Sequence, residues 1–303
     1  MAQGSEATNR GYEEKWFATK DGLRLEYRDY EANAPSQITP IICLHGLTRN
    51  LRDFEDVSPR MAALGFRVLV PSQRGRGASA YDPDTKNYDP EQYAVDMIGL
   101  LKDLNIESAI FVGSSMGGIM TMIISQSHPD LVAGAILNDI GIELDPVGIQ
   151  RIMGYVGKPA LFASWEEAAK SCREGNGHAF PLETSDEFWH RFARRVCHRL
   201  ASGEISYAYD IGIAAPTQNA HSGVPNYANE FETLTDKPVL LMRGQTSDLL
   251  SRETVQKMKY IHPDLSVFEV PNIGHVPFLS EVEAWQRVSE YLEEFKSEGR
   301  GHE

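Results

Sequence analysis

The chain is poor in several of the features that would settle a function class at once. Its 303 residues contain only three cysteines, Cys43, Cys172 and Cys197, widely spaced and odd in number. Neither a CxxC pair nor a convincing metal spacing is among them, which argues against a disulfide framework and a zinc module. Cys43 lies in an apolar run and reads as a small core residue. No apolar run reaches the length that crosses a bilayer. Met1–Lys15 is polar and acidic without an apolar centre, so a secretory leader is not expected, and the cytoplasm is the expected compartment. Basic charge is also scarce. The formal net charge is -14, which excludes nucleic acid as the main partner in the ordinary case. Repeats at solenoid periods and long low-complexity tracts are missing too.

What remains is an ordinary globular composition, 42% hydrophobic and 24% charged, on a chain long enough to bury a substantial core. After a tail over residues 1–12, Trp16–Thr19 and Leu23–Arg28 flank an Asp21-Gly22 turn and read as a hairpin. Pro40–Leu44, Phe66–Val70, Ser108–Val112 and Ala133–Leu137 are continuous apolar runs, as in strands buried on both faces of a parallel sheet. Helical segments are expected near Val57–Leu64 and over Pro90–Leu104, where Val95, Ile98, Leu101 and Leu104 keep helical spacing. From Gly141 to Thr235 the rhythm becomes helical and polar, with helices predicted over Trp165–Arg173 and Asp186–Leu200. Strand and helix alternate again from Pro238–Met242 through Ser266–Val270 to the final helix, Val282–Phe295. The pattern is an α/β core, residues 1–140 and 236–303, interrupted by a helical insertion, residues 141–235.

The chemistry centres on Gly113-Ser114-Ser115-Met116-Gly117, placed between an apolar strand and an apolar helix. A serine hydroxyl is a weak nucleophile, and it needs an exposed position and a base. Histidine candidates are sifted by place. His178, His190 and His198 lie in the insertion, His128 and His262 precede prolines in connections, and His302 is in the tail. His221 lies in a loop and stays open as a substrate-facing residue. Only His275, on a glycine-containing loop after the last strand, is expected to be the general base. The acid that orients it is assigned to Asp248, after the Val239–Met242 strand, in preference to Asp139, after Ala133–Leu137. A helix cap is the structural alternative for Asp248. His45-Gly46 follows a buried strand at the sheet edge where ligands of open α/β sheets bind. There the N–H groups of Leu47 and Met116 can hold an oxyanion. His45 itself is expected to shape that loop and not to move protons.

The order Ser115, Asp248, His275, with His45-Gly46 upstream, resembles the α/β-hydrolase superfamily over nearly the whole chain. Arg74-Gly75-Arg76-Gly77-Ala78-Ser79 looks like its Arg-Gly-x-Gly-x-Ser loop, Gly274–Glu281 like its histidine loop, and Gly113–Gly118 like its nucleophile elbow. Gln73 departs from the family pattern, which often has an aspartate near that loop. By the resemblance, a mostly parallel central sheet is flanked by helices and the insertion is a cap over the site. A serine nucleophile disfavours the dehalogenase and epoxide-hydrolase branches, which use a carboxylate. The expected activity is hydrolysis of a small hydrophobic ester through an acyl-enzyme, with no metal or organic cofactor. The alternatives are a carbon–carbon bond hydrolase of ring-fission products and a ligand-binding receptor of the same fold. The first would need a cation for the substrate's acid group; Arg191, Arg194 and Arg195 are available, although a helix bearing Arg-Phe-Ala-Arg-Arg is more often a solvated face. Oligomeric state and acyl length are not legible.

Overall fold

A computed structural model describes residues 11–32, 38–218 and 226–297. The first residues of the tail, His221 and His302 lie outside them. An eight-stranded sheet runs through the centre in the order β1-β2-β4-β3-β5-β6-β9-β10. β1 (Glu13–Ala18) and β2 (Arg24–Tyr30) form the expected hairpin. β2 is antiparallel to β4 (Val68–Pro71), and every pairing from β4 onward is parallel, so β2 alone runs against the rest. β3 (Ile41–Leu44), β5 (Ala109–Ser114), β6 (Val132–Asn138) and β9 (Val239–Gly244) occupy the middle. In β3, β4, β5 and β9 every residue is buried. That is why these strands read as unbroken apolar runs: both faces are covered, and alternation has no solvent side to serve.

The two faces carry separate cores. Leu44, Phe111, Leu137 and Leu241 pack beneath α2 (Pro90–Asp103) and α3 (Met116–Ser127). Cys43, Val112, Ile136 and Met242 pack beneath α1 (Ser58–Ala63) and α10 (Val282–Ser297). Burial pushes the Cys43 thiol up, as fits a residue that packs and does not react. α2 starts where Asp89 accepts from the N–H groups of Glu91 and Gln92, with Pro90 at its first position. No helix of the described residues is long and apolar enough to cross a membrane.

Between β6 and β9 lie α4 (Pro146–Met153), α5 (Trp165–Asn176), α6 (Asp186–Val196), the hairpin β7 (Cys197–Arg199) and β8 (Ile205–Tyr207), α7 (Ala215–Gln218) and α8 (Ala228–Glu232). α6 ends four residues earlier than its periodicity suggests, because Cys197–Arg199 pairs with Ile205–Tyr207 across a turn containing Gly203 at φ +94°. α5 and α6 bury an aromatic cluster of their own, Phe180, Trp189 and Phe192, against Phe278 of the core. Arg195 is no solvated face. It is 4% exposed and holds Glu55 at 2.9 Å and Asp56 at 2.5 Å, which pins α6 to the core. α9 (Arg252–Ile261) and β10 (Ser266–Val270) complete the alternation before α10.

Candidate active site

Ser115 stands at the turn from β5 into α3, with φ +51° and ψ -118°. The glycines around it are dictated by contact. A Cβ at Gly113 would lie 2.5 Å from the carbonyl carbon and oxygen of Gly117. One at Gly117 would run into the carbonyl oxygen of Leu44. The turn closes only where both side chains are missing. Ser115 N–H donates to the Asn138 carbonyl at 2.9 Å, which ties the turn to the end of β6.

His275 is brought to that serine by a loop after β10. Its Nε2 is 2.9 Å from Ser115 Oγ. Three tethers hold the loop. Gly274 N–H donates to the Ala179 carbonyl of the insertion at 2.7 Å, and Thr246 N–H donates to the Ile273 carbonyl at 2.9 Å. Asn138 Nδ2 donates both to Ser114 Oγ at 2.9 Å and to the Pro277 carbonyl at 2.8 Å. A single buried amide thus bridges the nucleophile's turn and the histidine's loop.

The acid against His275 is Asp139, and the assignment to Asp248 is corrected. Asp139 Oδ2 lies 2.8 Å from His275 Nδ1, and the carboxylate is fully buried. It also accepts from Gly244 N–H at 2.8 Å and from Ser247 Oγ at 2.7 Å. The end of β9 and the loop after it therefore supply donors to the Asp139 carboxylate, and that loop does not supply the carboxylate that meets His275. Asp248 turns instead to Arg151 of α4, with Oδ2 to Nε at 2.5 Å and Oδ1 to Nη2 at 2.8 Å. Burial works to raise the Asp248 pKa, but the Arg151 fork holds it below the ordinary carboxylate value. Nor does Asp248 cap the following helix; Ser251 does, accepting from Thr254 N–H. A carboxylate only accepts, so Nδ1 of His275 carries the hydrogen. In the neutral ring Nε2 is then free to accept from the Ser115 hydroxyl.

The two expected oxyanion donors flank this relay. Met116 begins α3, so its N–H belongs to the unpaired first turn of a twelve-residue helix, where developing negative charge is favoured. Leu47 lines the same cavity as Ser115 and His275. The plane of its peptide is fixed from the other end. The Gly46 carbonyl is held by His45 Nδ1 at 2.8 Å and by Arg49 N–H at 3.1 Å. In a trans peptide the N–H points opposite to the C=O, so holding the Gly46 oxygen aims the Leu47 N–H. On the next peptide, Arg76 Nε holds the Leu47 carbonyl at 2.9 Å. His45 thus shapes the loop, as expected of it. Its Nε2 accepts from the N–H of Gln73 at 3.1 Å, so the departure at Gln73 leaves a working backbone contact.

His45 also makes a pH prediction. Burial, with smaller contributions from Arg76 and Arg49, lowers its pKa from 6.5 to about 3, against a raising effect of the Gly46 carbonyl. The unfolded chain takes a proton near pH 6.5 that the folded chain refuses until far lower pH. The stability attached to neutral His45 is therefore full above pH 6.5 and is lost as pH falls towards 3. At ~1.4 kcal/mol per unit, about 2 kcal/mol should go between pH 6.5 and 5. Urea unfolding at pH 7 and pH 5 should show a smaller loss for His45→Asn than for the wild type. Equal losses would mean that His45 is not held neutral.

The cavity at the relay has a volume of about 400 Å³ and combines core residues with Ile152, Tyr155, Ser171, Tyr207 and Tyr209 of the insertion. Arg49 and Arg151 also line it, whereas Arg191, Arg194 and Arg195 do not. Neither arginine stood out in the sequence: Arg49 reaches the cavity from the loop after β3, where Asp53 anchors it, and Arg151 only through the packing of the insertion on the core. Asn138 was visible as a strand end but its bridging amide was not.

Comparison with known proteins bears on this geometry. Residues 39–282 match the model of a family described as alpha/beta hydrolase fold. The 3-hydroxybutyrate-oligomer hydrolase of Cupriavidus necator is 32% identical over 262 residues, which is 84% of this chain and 87% of that protein. The 2-(acetamidomethylene)succinate hydrolase of Mesorhizobium japonicum is 27% identical, over 80% of this chain and 82% of its own. Among solved structures, an alpha/beta hydrolase from Novosphingobium aromaticivorans superposes with a TM-score of 0.87 at 39% identity, covering 93% of this chain and 98% of that one.

Proposed function

The chain belongs to the α/β-hydrolase family, and from that premise we propose that it is a serine hydrolase that cleaves carboxylic esters through an acyl-enzyme. The observation that carries the reading is the unbroken relay from Ser115 Oγ to His275 at 2.9 Å and from His275 to Asp139 at 2.8 Å. His275 Nε2 takes the hydroxyl proton as Ser115 Oγ attacks the ester carbonyl. The tetrahedral oxyanion forms where the N–H groups of Leu47 and Met116 converge. His275 then gives its proton to the departing alkoxide, which leaves as the alcohol. Water enters, loses a proton to His275 and attacks the acyl-enzyme. Collapse frees the acid and returns the proton to Ser115. Asp139 stays ionised and fixes the tautomer throughout.

Ester chemistry is also supported by the Cupriavidus relative, since an oligomer of a hydroxy acid is joined by ester bonds. The insertion between β6 and β9 acts in this reading as a cap. It contributes Ile152, Tyr155, Ser171, Tyr207 and Tyr209 to the pocket and so sets acyl and alcohol preference. A fluorophosphonate should label Ser115 in folded protein, with the adduct located by mass spectrometry. An unlabelled Ser115, or equal labelling of other serines, would remove the assignment.

A further inference from the structure

The chain carries a formal net charge of -14, yet among the described residues the cavity beside Ser115 is lined by two arginines, Arg49 and Arg151, and by a single acid, Glu174. Glu174 is exposed to solvent, whereas the side chains of Arg49 and Arg151 are 14% and 22% exposed. A pocket meant for a neutral ester needs a few polar groups to orient it and gains nothing from paired guanidinium groups that resist desolvation.

The two arginines differ in what they leave free. Arg151 spends its side fork, Nε and Nη2, on Asp248. Arg49 is anchored through Nε alone, to both oxygens of Asp53 at 3.0 and 2.7 Å. Among the described residues neither Nη of Arg49 has an acceptor. Its guanidinium carbon sits 4.6 Å from the centre of the Phe192 ring and 5.4 Å from that of Phe278, which holds the plane in place. Its stem starts next to the nucleophile: a Cβ on Gly46 would lie 3.6 Å from Arg49 Cγ and 3.5 Å from Ser115 Cβ. A planar cation with its two end donors open, fixed by rings, beside the reacting serine, has the geometry that donates two hydrogen bonds to a carboxylate. That one guanidinium can serve more than one carboxylate is seen in this chain at Arg74, which meets Asp21, Asp82 and Asp96.

We infer that the substrate is a short ester bearing a free carboxylate, and that Arg49 is the specificity residue that binds it. This rests on the ester-hydrolase reading above. The test uses two phenyl esters of matched shape, phenyl hydrogen succinate and phenyl 4-methylpentanoate, and reads the ratio of their kcat/KM values. The wild type should favour the charged ester at least about tenfold, the scale of a hydrogen-bonded charge. Arg49→Gln should bring the ratio to one or below. Arg49→Lys, which keeps the charge and loses the fork, should fall between. A merely structural role would lower both esters together and leave the ratio in place. The same ratio, read as Kd by calorimetry in Ser115→Ala and in Ser115→Ala/Arg49→Gln, reports on the carboxylate without any turnover. Equal use of the two esters by the wild type would overturn the inference while leaving the hydrolase reading intact. A ratio that collapses in Arg151→Gln and not in Arg49→Gln would overturn the assignment to Arg49. If neither ester is cleaved and a fluorophosphonate leaves Ser115 unlabelled, the hydrolase reading falls, and the Kd ratio still decides for or against the carboxylate.

Discussion

Asp139→Asn is expected to lower kcat on an activated phenyl ester by about four orders of magnitude, with KM little changed. The amide matches the carboxylate in shape, but its NH2 group would have to face one of three donors that now converge on Asp139: the His275 ring N–H, the Gly244 N–H and the Ser247 hydroxyl. The cheapest repair is for His275 to move its hydrogen to Nε2. In that tautomer it cannot accept the proton of Ser115. Asp248→Asn supplies the contrast. It loosens the pair with Arg151 and is expected to cost less than about tenfold, since a partly exposed ion pair contributes little. Parallel steady-state kinetics of the two variants decide the matter. A deep loss in Asp248→Asn with a shallow one in Asp139→Asn would return the acid's role to Asp248.

Ser115→Ala should be the most damaging single change, lowering kcat by about 10⁶ and abolishing fluorophosphonate labelling, as for enzymes whose nucleophile and base act as one unit. The double variant Ser115→Ala/His275→Ala should be scarcely worse than either single one, because a base without its nucleophile has nothing to deprotonate. Additive losses would mean that the two side chains work independently. Stability should barely respond. Ser115 Oγ makes its hydrogen bond to His275 at the wall of a cavity, and the folded backbone at the turn is tied by its N–H to Asn138, a bond that alanine keeps.

The fold was legible because its signals are local. Runs such as Ile41–Leu44 and Val239–Met242 are apolar at every position because they are covered on both sides, and the Gly113 and Gly117 positions announce a turn that tolerates no Cβ. That Ser115 and His275 come together was legible for the same reason, each standing in a strand-end segment of its own. Which carboxylate meets His275 was not. Asp139 and Asp248 both follow strands of the same sheet, and each is close enough along the chain to serve. What separates them is which carboxylate receives Gly244 N–H and Ser247 and which one meets Arg151, and the last of these comes from the insertion. The premature end of α6 had a local signal, the glycine at 203, that helical periodicity outweighed. Arg195 misled for a different reason. A run of arginines reads as solvent-facing unless the acids that neutralise it, here Glu55 and Asp56, are known to be opposite.

The relay is closed over long stretches of chain. His275 lies 160 residues after Ser115 and 136 after Asp139, and β10, the strand that delivers it, is the last of the sheet to be made. A ribosome that has just passed β6 has made Ser115 and Asp139 but not the histidine that joins them. Chains are made at ~5–20 residues per second, so Ser115 precedes its histidine in synthesis by on the order of ten seconds. For that interval the relay lacks its middle member. Of the three side chains of the relay, the one that touches both of the others is therefore the last to be made.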